Sequence, residues 1–105
     1  MILEERDYRL KPGKAPTFLQ IYEKYGLPVQ RRHLGEPYGF FTSEIGELNH
    51  VVAMWRYNDL NDRAERRAAM LLDPDWPGYL SKIDGLIDVQ NIRILTPAGF
   101  FFPAR

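Results

Sequence analysis

The sequence predicts an α+β fold of the ferredoxin-like kind, βαββαβ, in which helices cover one face of a four-stranded antiparallel sheet. Three observations lead there. Apolar and polar residues alternate near the start of the chain and a strand segment closes it; apolar residues recur at helical spacing in the intervals between; and two strand segments broken by a glycine occupy the middle. No internal repeat and no long linker divides the chain, so residues 1–105 are read as one domain with one modest core.

The first strand runs from Ile2 to Leu10, with Ile2, Tyr8 and Leu10 on one side and Glu5, Asp7 and Arg9 on the other. Lys11-Pro12-Gly13 ends it. Pro16 suits a first helical turn ahead of Phe18, Leu19, Ile21, Tyr22 and Tyr25, and the helix weakens at Gly26 and Pro28. Gln30-Arg31-Arg32-His33 reads as a polar loop, with Arg31 and His33 placed to rim a pocket mouth or simply to face water. Tyr38 to Glu44 forms the second strand, Gly46 turns the chain, and GELNHVVAMWRY from Gly46 to Tyr57 supplies the third, joined to the second by a short turn.

Asp59 then caps a helix in which Leu60, Ala64, Ala68 and Leu71 form the apolar stripe and Arg63, Arg66 and Arg67 lie around its edge. Asp73-Pro74 stops it. A short helix follows from Asp75, with Pro77 in its first turn and Trp76, Leu80 and Ile83 along one side. Leu86 to Leu95 is the last strand, ended by Pro97.

Composition removes several classes of function. Fourteen basic and fourteen acidic residues balance, leaving no basic field for a nucleic acid or an anionic bilayer. No cysteine is present, which excludes disulfides, thiolate nucleophiles and thiolate metal sites; two distant histidines do not make a catalytic zinc site, so neither metal nor cofactor is expected. No apolar run approaches the roughly 20 residues of a membrane span, and the charged N-terminus points to a cytoplasmic protein. Both parities of the middle strands are partly apolar, Phe40 against Phe41 and Trp55 and Val51 against Met54 and Val52. The sheet face without helices therefore needs a cover, and a homodimer packed sheet to sheet is expected, with Phe100-Phe101-Phe102 reaching toward the partner.

The run GFFTSEIGELNHVVAMWRYNDLNDRAERRAAMLLDPDW from Gly39 to Trp76, with YRLKPG before it and NIRILTP after it, resembles the NIPSNAP domain over essentially the whole chain. The specific features are Glu44 with Gly46, Trp55 to Tyr57, Arg63 with Arg67, and Asp73-Pro74 with Trp76. The resemblance implies a dimeric α/β barrel, related to small cofactor-independent monooxygenases and haem-degrading enzymes, and implies little about reaction. Larger relatives in animals resemble adaptor proteins. Similar sequences commonly carry a histidine two residues before the strand tryptophan; this chain has Ala53, so no mechanism through that imidazole carries over.

Among the residues themselves, His50 is the candidate general base, since an unperturbed imidazole titrates near neutrality; the alternative is a hydrogen-bonded histidine in the dimer face. Asn49, Trp55 and Tyr57 share the other strand parity and offer an amide, an indole and a phenol to a ligand, or else ordinary core packing. Arg63 and Arg67, four residues apart, share one side of a helix where they can hold an anion or pair with Glu44, Glu47 or Asp62. The expected function is a homodimeric module binding a small, partly apolar or anionic molecule between sheet and helices. The alternatives are a cofactor-independent oxygenase or isomerase using His50, and a scaffold with a solid core.

Overall fold

The structure is a computed structural model that describes residues 1–101. Strand β1, Ile2–Leu10, buries Ile2, Glu4, Arg6 and Leu10, so its inward side is half charged. Strand β3, His50–Tyr57, alternates throughout, burying Val51, Ala53, Trp55 and Tyr57 and leaving the residues between them half-buried. With β2, Gly39–Thr42, and β4, Ile87–Leu95, they form an antiparallel sheet in the order β2-β3-β1-β4. This is the predicted βαββαβ arrangement. Its register sets Glu4 opposite Trp55, and both Arg6 and Phe40 opposite Ala53, on the face that the helices cover.

The first helical region is longer than the sequence suggested. Helix α1, Ala15–Ile21, passes through a π-helical turn at Tyr22–Gly26 into α2, Leu27–Leu34, so the segment Gln30 to His33 is helical and not a loop. A proline inside an α-helix removes one backbone donor and collides with the preceding turn. The widened turn absorbs that defect, because it ends where the chain restarts with Pro28 in a first-turn position. Gln30 is buried as a result, and its carbonyl oxygen accepts from the Tyr22 hydroxyl.

The connection between β2 and β3 is not a short turn but residues 43–49, and the third strand begins at His50 and not at Gly46. Gly46 and Asn49 both adopt positive φ, +107° and +64°, which an extended strand does not allow. In α4, Trp76–Ile83, the buried residues are Trp76, Tyr79 and Ile83; Leu80, predicted to line that side, is exposed.

The largest departure is in α3, Leu60–Leu71. Asp59 caps it as expected, its side chain accepting from the backbone N–H of Asp62. Yet Leu60 and Leu71 face water, 60% and 58% exposed, while Arg63, Arg66, Arg67 and Met70 turn inward. The cause is Glu4. A carboxylate with no solvent exposure needs cationic partners, and leaving it unpaired costs far more than leaving two leucines wet.

The other sheet face carries Leu3, Val52, Met54 and the 56%-exposed Phe41, together with the ion pairs Glu5–Arg93 and Arg9–Asp88. Phe100 and Phe101 are exposed; Phe102 lies outside the described residues. Among the described residues no helix is long and apolar enough to cross a membrane.

Candidate functional site

Three arginines converge on one carboxylate. Arg63 Nε donates to Glu4 Oε2, Arg6 Nη1 donates to Oε1 at 3.4 Å, and Arg67 Nη1 stands 3.9 Å from Oε1, near enough for charge but not for a hydrogen bond. Arg6 also donates through Nε to the Tyr8 hydroxyl at 2.6 Å. Burial works against the charge of Arg6, but Tyr8 and Glu4 more than offset it, so its pKa stands above the ordinary value.

Tyr57 stands at the same cluster. Burial, and then the charge of Glu4, push its phenol up, while Arg67 and Arg63 pull it back. Arg67 stands close enough to that oxygen to lower its pKa, but among the described residues neither the buried Tyr57 hydroxyl nor the buried Arg67 Nη1 has a partner that meets hydrogen-bond geometry. Arg66 lies over the Tyr57 ring at 5.9 Å and donates to Asp62 and to the carbonyl of Leu34, which ties α3 to α2.

Beside the cluster a cavity of about 190 Å³ opens between sheet and helices. Its walls include Trp55 from β3, Arg6 from β1, Arg67 from α3 and Trp76 with Tyr79 from α4. Tyr22 links these walls: its ring stacks on Phe40 at 4.6 Å and meets Tyr79 edge-on at 6.1 Å. Burial raises the phenols of Tyr22 and Tyr79 well above the usual range, so both stay protonated donors near neutral pH. The result is an aromatic chamber with guanidinium groups on one side.

The structure brings together four of the six residues singled out from the sequence. Trp55 and Arg67 line the cavity, and Tyr57 and Arg63 stand behind that wall at Glu4. Arg63 and Arg67 therefore turn to Glu4 and not to the predicted Glu44, Glu47 or Asp62. Asn49 is a correction. It sits in the loop before β3, where its left-handed backbone takes it off the strand alternation; its Oδ1 accepts from the Gly13 N–H at 3.2 Å and its carbonyl from the Leu10 N–H at 2.7 Å.

His50 lies on the face away from the cavity. Its Nδ1 is 2.7 Å from Asp7 Oδ1, an acidic partner supplied across the β1–β3 pairing, and its Nε2 is 3.0 Å from Glu47 Oε2, off the line of a hydrogen bond. Arg31 and His33 extend from α2 and not from a loop: His33 reaches Asp73, while Arg31 reaches Glu36 and lines a second cavity of about 400 Å³ with Leu19, Tyr22, Leu27 and Phe40. Ala53 lines the cavity, where an imidazole would otherwise project. The residues missed are Glu4 and Arg6, although both share the strand parity of Ile2, Tyr8 and Leu10, and that parity was the available signal.

Comparison with known proteins decides the family. The NIPSNAP family model matches residues 3–101. The chain belongs to the NIPSNAP family. Protein NipSnap of Drosophila melanogaster is 34% identical over 100 residues, which cover 94% of this chain and 36% of that protein. The chain thus spans between about a fifth and two fifths of the length of the curated relatives it matches. A NIPSNAP family protein of unknown function from Agrobacterium tumefaciens has a crystal structure that superposes with a TM-score of 0.91 at 46% identity, covering 96% of this chain and 91% of that one. A crystal structure of an antibiotic biosynthesis monooxygenase aligns with a TM-score of 0.64 at 12% identity over 93% of this chain and 99% of that one, a likeness of fold alone.

Proposed function

We propose that this NIPSNAP domain is a homodimeric module that binds a small, partly apolar or anionic molecule in the chamber between sheet and helices. One observation carries the reading: the cavity joins an aromatic wall of Trp55, Trp76 and Tyr79 to the guanidinium groups of Arg6 and Arg67. Aromatic rings on one side and guanidinium groups on the other suit a ligand with an apolar body and an anionic end. The chamber also weighs against the scaffold reading, which calls for a solid core.

The dimer rests on the open sheet face, where half-buried Val52 and Met54 and exposed Phe41 lie among paired charges. A second copy covers such a face with its own equivalent residues. A cytoplasmic setting fits the cysteine-free composition.

The enzyme reading draws on the His50–Asp7 pair, which fixes the imidazole ring as a general base requires. That pair faces the dimer side, so a substrate in the chamber does not reach it. This reading needs a substrate held between the two sheets.

Native mass spectrometry of freshly purified protein tests the proposal. Two chains carrying a reproducible small adduct, released and identified on denaturation, is the expected result. A single-chain mass, or a dimer that takes up no small molecule across a panel of aromatic and aliphatic acids, rejects it.

A further inference from the structure

The charges around the chamber do not balance, and this bears on what it holds. Among the described residues Arg6, Arg63 and Arg67 stand against the single carboxylate of Glu4, three positive groups to one negative, for a formal excess of two. Arg66, the fourth arginine nearby, is already matched by Asp62. Holding uncompensated guanidinium charge partly out of water is costly, and an anion beside it offsets that cost. Two of these three arginines, Arg6 and Arg67, line the cavity.

Resting on the ligand-binding reading above, we propose that the occupant is a small aromatic monocarboxylate. Its carboxylate lies between Arg6 and Arg67; its ring lies against Trp55, Trp76 and Tyr79. A planar carboxylate matches the guanidinium fork, and a charged acceptor makes the strongest use of it. The volume of about 190 Å³, below the roughly 300–1,000 Å³ of drug-sized sites, selects a single-ring acid over a fused or long-chain one. The neutral amide of the same acid keeps the ring but loses the charge, which makes it the discriminating comparison.

The chain supplies its own readout, because both of its tryptophans, Trp55 and Trp76, line the cavity. Benzoate and benzamide are titrated into the full chain and tryptophan emission is followed. Benzoate is expected to produce a saturable change at a Kd about tenfold or more below that of benzamide, the ratio that one charge-assisted pair supplies. Arg67→Gln is expected to erase the benzoate advantage, bringing the two Kd values together. Equal binding of the two by the wild-type chain removes the carboxylate inference and leaves the ligand-binding reading standing. Binding of neither, up to their solubility limits, removes the single-ring acid outright, and the adduct seen in native mass spectrometry then decides the broader reading separately. The wild-type comparison holds even if Arg67→Gln fails to fold.

Discussion

Arg63 and Glu4 are joined across 59 residues of sequence, from the third helix to the first strand, by a hydrogen bond to a carboxylate that has no solvent exposure. This contact fixes the roll of α3 on the sheet. The helix follows its arginines inward even though its leucines and alanines mark the opposite side as the apolar stripe.

Glu4→Gln is therefore expected to be among the costly single changes in the chain. It leaves Arg6, Arg63 and Arg67 without their shared counter-charge, and removing one partner of a buried pair costs about 3–5 kcal/mol. Urea unfolding measures it. A double-mutant cycle with Arg63→Leu should return a coupling of about 0.5–3 kcal/mol, and additive losses would show that the pair does not orient the helix.

How much of this was legible in the sequence depends on which force decided each element. Strand β3 was legible because alternation and packing agree from Val51 to Tyr57. Helix α3 existed where predicted, but its inward face was not legible. Amphipathicity ranks leucine over arginine by default, and only the position of Glu4 on a neighbouring strand reverses that ranking. The continuation into α2 was hidden for a related reason: Pro28 reads locally as a stop, whereas the preceding turn widens to admit it. The acidic partner of His50 comes from β1, and sheet register, not strand composition, brings Asp7 there.

Gly26 is fixed by a close approach. A methyl group at that position would lie 2.6 Å from Tyr79 Cε1 and 3.0 Å from Tyr22 Cδ1. The Tyr79 ring cannot swing away cheaply, because it is buried with its centroid 5.0 Å from that of Trp76. Gly26→Ala should cost about 1–3 kcal/mol in chemical denaturation and displace the Tyr79 wall of the chamber. An unchanged midpoint together with unchanged tryptophan emission would mean that the ring moves freely.

Asp73 ties α2 to the start of α4. Its carboxyl pKa is held below the ordinary value by His33, by the backbone N–H of Asp75 and by Arg32, at 2.8, 2.9 and 2.7 Å. A pKa lowered by folding contributes stability at pH values above the unfolded pKa, about 3.9, and loses it as pH falls through the folded value. Asp73→Asn should therefore melt at a lower temperature than the wild type at pH 7, with the gap narrowing below about pH 4. A gap that stays constant across that range would assign the loss to packing and not to charge.

The open sheet face yields the sharpest test of assembly. Met54 lies there directly opposite Glu5, which already pairs with Arg93. A lysine at position 54 would find Glu5 beside it in a single chain, and cross-strand opposite charges favour the sheet slightly. Within a sheet-to-sheet dimer the same ammonium group would have to leave water at the centre of an apolar contact, at a cost the pairing does not repay. Met54→Lys should thus keep the circular dichroism and melting behaviour of a folded domain while sedimentation reports one chain where the unmodified protein reports two. If the variant stays dimeric, the copies meet through another surface. The strongest remaining candidate is then the exposed stripe of Leu60 and Leu71 on α3.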